Sequence, residues 1–172
     1  MKLKIFILVF MILSILPRYV SAQRTEWLVK LKQMEWMSKV SKIQLLKTTR
    51  AEVEKILGKP DIRGYEKANF LKTYITENGE IDVKYTIGEC NSTSGKIIKD
   101  TVEKISFYPK QDILFSTLKL PIKEFTKSRF SDTFGYNYEN KMNGVSIAVH
   151  EDKSIDSIVF TPPDWEKINC PD

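Results

Sequence analysis

Residues 81–87, Ile-Asp-Val-Lys-Tyr-Thr-Ile, alternate apolar and polar side chains without a break. Side chains along an extended strand point to opposite faces in turn, so Ile81, Val83, Tyr85 and Ile87 share one face while Asp82, Lys84 and Thr86 share the other. A segment of this kind is a half-buried antiparallel strand. The stretch 69–76, Asn-Phe-Leu-Lys-Thr-Tyr-Ile-Thr, precedes it and is joined to it through Asn78-Gly79. That dipeptide favours a tight hairpin turn, because both residues tolerate positive φ. The chain is therefore committed to an antiparallel sheet that begins with a hairpin.

The same period returns further along. Residues 101–108 place Ile105 and Phe107 on one face before Pro109 closes the run. Three more strands are predicted at 134–139, 144–151 and 154–161, with Asn143-Gly144 and Asp152-Lys153 in turn positions between them. Residues 89–100 read as a polar loop. The segment 112–120, Asp-Ile-Leu-Phe-Ser-Thr-Leu-Lys-Leu, is apolar but has no clear period, and Pro121 stops it.

Helical spacing is confined to the N-terminal third. Trp27, Leu31, Met34, Met37 and Val40 fall on one side of residues 24–40, which predicts an amphipathic helix there. A second, short helix is expected within 45–61. Thr49 stands at the N-cap with Glu52 three residues later, a capping box that satisfies free backbone N–H groups of the first turn. Val53, Ile56 and Leu57 make one apolar face, Gly58 suits the left-handed position after the last turn, and Pro60 prevents continuation. Every residue of this motif has a structural duty, and Gly58-Lys59 alone is no phosphate loop. The expected fold is α+β: one or two N-terminal helices packed on an antiparallel meander, in a single domain.

Residues 1–22 read as a secretory signal peptide. Met1-Lys2-Leu3-Lys4 is a basic start, Ile5 to Leu16 is nearly unbroken apolar chain, and Ser21-Ala22 ends the segment with small residues. The apolar run is about 12 residues, short of the roughly 20 that a membrane span needs. The expected mature domain is residues 23–172, with no transmembrane span after cleavage. The whole chain has 27 Lys and Arg against 22 Asp and Glu. Lys2, Lys4 and Arg18 leave with the signal, so the alkaline balance falls from +5 to +2 and no nucleic-acid partner is expected. Cys90 and Cys170 are the only cysteines. In an exported protein, periplasmic or extracellular, a single pair reads as a disulfide, here closing a loop of roughly 80 residues.

Few residues are suited to catalysis. His150 is the only histidine, and alternation along 144–151 points it away from the apolar face of Val145, Ile147 and Val149. Zinc needs several His or Cys ligands, no calcium loop pattern appears, and no cofactor or metal is expected. A carboxylate pair for a small secreted hydrolase is defined in space rather than in sequence, so it stands as an alternative function. Phe134, Tyr136 and Tyr138 share one face of a strand. They form either an aromatic binding platform or the core side of the sheet, and alternation alone does not say which face is wet. Asn91-Ser92-Thr93 is a glycosylation acceptor triplet in a eukaryotic secretory pathway.

The pattern Leu-Lys-Thr-Thr-Arg-Ala-Glu-Val-Glu-Lys-Ile-Leu-Gly-Lys-Pro at 46–60 resembles the first motif of the SmpA/OmlA (BamE) family. Thr49, Glu52, Val53, Leu57, Gly58 and Pro60 match that motif position by position. A similar opening occurs in the β-lactamase inhibitor protein fold, where helices pack on an antiparallel sheet. The resemblance extends to exported bacterial proteins with a Cys before an Asp-Thr-Val-x-x-Ile strand, here Asp100-Thr101-Val102 and Ile105, and a late Cys. Two departures are visible: Lys47-Thr48 replaces the Gly-Met pair that usually precedes the motif's Thr, and no lipobox Cys follows the signal. The resemblance implies a binding or scaffold module rather than an enzyme. The expected function is therefore an exported, non-enzymatic module that binds another protein or an envelope component, with an inhibitor of an extracellular enzyme as a further alternative.

Overall fold

A computed structural model describes residues 27–31, 34–61, 70–92, 95–130 and 135–163. The predicted hairpin is present as β1 (Leu71–Ile75) and β2 (Gly79–Tyr85), paired antiparallel from Leu71 opposite Lys84 to Ile75 opposite Glu80. Thr76 closes the turn, its N–H and hydroxyl donating to Gly79 O at 2.9 and 2.8 Å. The turn differs from the expected one, since Asn78 does not adopt positive φ. The glycine is needed for space instead. A Cβ on Gly79 would lie 2.2 Å from Tyr108 O in the neighbouring strand β5 (Val102–Pro109).

The remaining strands are β3 (Cys90–Ser92), β4 (Gly95–Ile97), β6 (Thr126–Arg129), β7 (Gly135–Asn140), β8 (Val145–His150) and β9 (Ile155–Phe160). Seven of them form one antiparallel sheet in the order β1-β2-β5-β9-β8-β7-β6, while β3 and β4 pair by themselves inside what the sequence presents as a polar loop. The sheet is therefore not the continuous meander expected. β6 to β9 do run as a meander, but the connection after β5 crosses to the far edge and the meander returns until β9 meets β5. Side-chain chemistry explains this order. β9 brings Ile158 and Phe160 opposite Phe107 and Ile105, so apolar surface is buried at the centre. Thr126-Lys127-Ser128-Arg129 has no apolar face, and all four residues are exposed at the edge. The ambiguous segment 112–120 lies in that crossing connection and forms a 3-10 turn over Phe115–Leu118.

The helical layer is N-terminal, as expected, and small. α1 (Arg50–Leu57) carries the predicted capping box: Glu52 Oε2 accepts from the backbone N–H and the hydroxyl of Thr49, each at 2.8 Å. Val53 and Leu57 are buried, and Gly58 ends the helix at φ +94°. Residues leading into α1 are stitched to β5, with Leu46 N–H donating to Val102 O at 2.7 Å and Val102 N–H to Thr48 O at 2.9 Å. The single helix expected over 24–40 is replaced by shorter pieces: residues 27–31 are helical, and 3-10 turns follow at Glu35–Met37 and Val40–Lys42. Met34 takes an extended ψ of 138° and interrupts the run. The apolar face survives the interruption, since Trp27, Leu31, Met37 and Val40 are all buried. Burial of that face on the sheet stabilises each short piece, which a helix of one turn cannot do for itself.

One apolar cluster links these pieces to Tyr74, Val83, Phe107, Ile147 and Ile158 on a single face of the sheet. Within it the hydroxyls of Tyr74 and Tyr85 meet at 2.8 Å, and burial pushes both phenols above their ordinary pKa. Among the described residues no helix is long and apolar enough to cross a membrane. The expected signal peptide at 1–22, Phe134 and Cys170 lie outside the described residues, and with Cys170 so does the expected disulfide to Cys90.

Candidate functional site

The aromatic strand occupies the far end of the sheet. In β7, Tyr136 stands opposite Val149 and Tyr138 opposite Ile147, both of which are buried. Partners directly opposite share a face, so the two tyrosines look toward the helix-covered side rather than the open one. Both are half-buried. Tyr138 stacks on Phe115 with ring centroids 4.4 Å apart and 27° between planes. It therefore serves the core as well as the surface. The choice left open by alternation resolves as both: one side of the pair packs inward and the other reaches the rim.

Register adds a cation to this rim. In β6, Lys127 is opposite Tyr138 and Arg129 is opposite Tyr136, so both point over the tyrosines. The Lys127 ammonium lies 3.6 Å from the Tyr136 ring centroid and 5.6 Å from that of Tyr138, within cation–π range. Arg129 Nη2 approaches Glu151 Oε1 at 3.7 Å across exposed surface. Phe130, 38% exposed, follows immediately and donates its N–H to Gly135 O at 3.3 Å. Lys127 and Arg129 had no place in the sequence prediction. The only signal was a four-residue alternation of hydroxyl and cationic side chains, which lacks the apolar phase that marks a strand.

A second feature lies beside α1. A groove of about 540 Å³ is lined by Lys42, Lys47 and Lys55 around Thr48 and Ile56, with Glu52 at its wall. Glu52 is held below the ordinary carboxylate range, first by the Thr49 backbone N–H and then by the Thr49 hydroxyl. Asp152 is lowered in the same way by the hydroxyl and then the N–H of Ser154, within the turn between β8 and β9. The hydrolase alternative calls for carboxylates that converge in a concavity with raised pKa. The acid in this groove is instead ionised by its capping role. Among the described residues no group of three or more His, Cys, Asp or Glu could hold a metal ion.

The other face of the sheet carries polar pairs beside the exposed side chains of Ile75 and Tyr108. Asp82 accepts from Thr73 Oγ1 at 2.6 Å, and Ser146 Oγ donates to Asn137 Oδ1 at 2.6 Å. Tyr108 is pushed above the ordinary phenol range by burial and then by Asp82. His150 is exposed, as alternation predicts, with Nε2 3.5 Å from Asp156 Oδ1. These contacts are short-range pairs within the sheet.

No family model matches this chain, and no curated protein matches it. Among solved structures, the chain is similar to a DUF4309 family protein, YjgB, from Bacillus subtilis subsp. subtilis str. 168, with 12% identity over 69% of this chain and 81% of that one. The TM-score is 0.45, which carries no argument about fold or function.

Proposed function

We propose that this chain is an exported, non-enzymatic binding or scaffold module of the cell envelope or extracellular space, acting on another protein or an envelope component through the β6–β7 end of its sheet. The observation that carries the reading is Lys127 lying over Tyr136 and Tyr138 at an exposed rim. Aromatic rings anchored from below and a cation held above them make a preordered contact patch, since little side-chain freedom remains to be lost on binding. The signal-like segment 1–22 and the presence of just two cysteines, Cys90 and Cys170, fit an oxidising destination in which the two would pair. The motif at 46–60 supports the class, because its resemblance is to modules that bind or assemble.

The test is capture. Purified protein is incubated with envelope and medium fractions of its own source, and Tyr136→Ala is run beside it. Tyr138 is left intact because it stacks on Phe115. A specific partner retained by the native chain and reduced at least tenfold by Tyr136→Ala, with unchanged thermal unfolding, supports the reading. Absence of any partner that depends on Tyr136 overturns it.

A further inference from the structure

The far edge of the sheet ends in β6, and its backbone is half used. Phe130 N–H donates to Gly135 O. Antiparallel ladders alternate between residues that bond across the pair and residues that do not. Counting back by two from Phe130, Ser128 and Thr126 turn their backbone groups toward β7. Lys127 and Arg129 therefore turn N–H and C=O away from the sheet. All four residues of β6 are exposed, and β6 pairs with β7 alone among the described residues. The opposite edge is not open in this way, because Asp61 bridges β1 at Thr73, its N–H donating to Thr73 O at 2.7 Å.

Charge decides what can occupy this edge. A second copy pairing antiparallel through β6 would set Lys127 opposite Arg129, and like charges facing across a strand pair are destabilising. Among the described residues Lys127 has no carboxylate within ion-pair distance, and Arg129 has only the exposed contact at 3.7 Å to Glu151. An incoming strand with carboxylates two residues apart would place both on the face of Lys127 and Arg129, since that spacing is the strand period.

We propose that β6 accepts an extended acidic segment of a partner as an eighth strand, bonded to the backbone of Lys127 and Arg129 and paired with their side chains. This rests on the binding-module reading and names the chemistry of its partner. Strand addition takes affinity from main-chain bonds and specificity from alternate side chains. Here the alternate positions ask for Glu or Asp.

The experiment uses the purified chain, isotope-labelled, and a blocked nine-residue peptide alternating Thr and Glu, with its Thr/Lys counterpart as the opposite-charge probe. Saturable amide shifts confined to β6 and β7 are expected with the acidic peptide, and at least tenfold weaker binding with the basic one. Amide exchange at Lys127 and Arg129, fast in the free chain, slows at least tenfold at saturation, while Ser128 is unchanged. Lys127→Pro removes an outward N–H without touching the β6–β7 ladder, so it weakens binding at least fivefold beyond Lys127→Ala. Equal binding of both peptides, or no protection at Lys127 and Arg129, overturns the proposal. Tyr136-dependent capture that persists without protection of β6 overturns the acidic strand alone. Loss of capture with protection intact overturns the broader reading of the Tyr136 rim.

Discussion

Tyr74 and Tyr85 have fully buried side chains, and their hydroxyls meet 2.8 Å apart inside the core. Each hydroxyl is the other's partner, which makes the two substitutions non-additive. Tyr85→Phe alone strands a buried polar group and is expected to cost about 1–3 kcal/mol of unfolding free energy, as is Tyr74→Phe. Removing both hydroxyls leaves nothing unpaired, so the double variant is expected to be no less stable than either single one. Urea denaturation of the four proteins checks this, and strictly additive losses would contradict the pairing. Alternation identifies Tyr85 as an inward residue, and Tyr74 lies in the predicted partner strand. Their contact is set by the register that puts Tyr74 opposite Ile81, which no local rule encodes.

At the scale of elements, α1 is the piece most fully written in the sequence. Its start, apolar face and stop are all local, so Thr49, Glu52, Val53, Leu57 and Gly58 do what their types imply. Thr49→Ala is expected to lower stability by about 1 kcal/mol, the usual value of such a cap. The pH dependence follows from the lowered carboxyls. Glu52, with an ordinary value of 4.5, and Asp152, with 3.8, bind protons less readily in the folded chain than in the unfolded one. Their contribution is complete above pH about 4.5 and is lost as pH falls through the folded pKa values. The urea midpoint should therefore fall on acidification below that pH, and Glu52→Gln should flatten the fall. The region 24–40 behaves differently. Its apolar spacing correctly names the buried residues, yet packing on the sheet holds them without a continuous helix. The pattern predicts the face, while contact with the sheet decides the backbone.

For the molecule as a whole, the sheet has one edge capped by Asp61 and one edge, β6, guarded by charge. If Lys127 and Arg129 keep copies apart, replacing both with Val should produce association through that edge. Sedimentation of Lys127→Val/Arg129→Val is expected to show dimers or larger species at concentrations where the native chain is a monomer. An unchanged monomer would mean that edge charge is not what prevents self-pairing.

Period-two alternation, turn residues and the capping box determined from sequence that this chain builds an antiparallel sheet with a small N-terminal helical layer, because those signals act over a few residues. The inward placement of Val83, Phe107, Ile147 and Val149 was legible for the same reason. Strand order was not, since pairing β5 with β9 rather than with β6 compares surfaces that lie far apart along the chain. β3, β4 and β6 escaped notice because none carries enough apolar surface to show a phase, and each is a strand only through its neighbour. The candidate site follows from that order. Tyr136 and Tyr138 were visible as a pair, but Lys127 joins them by register across β6 and β7, and register is a property of the folded sheet.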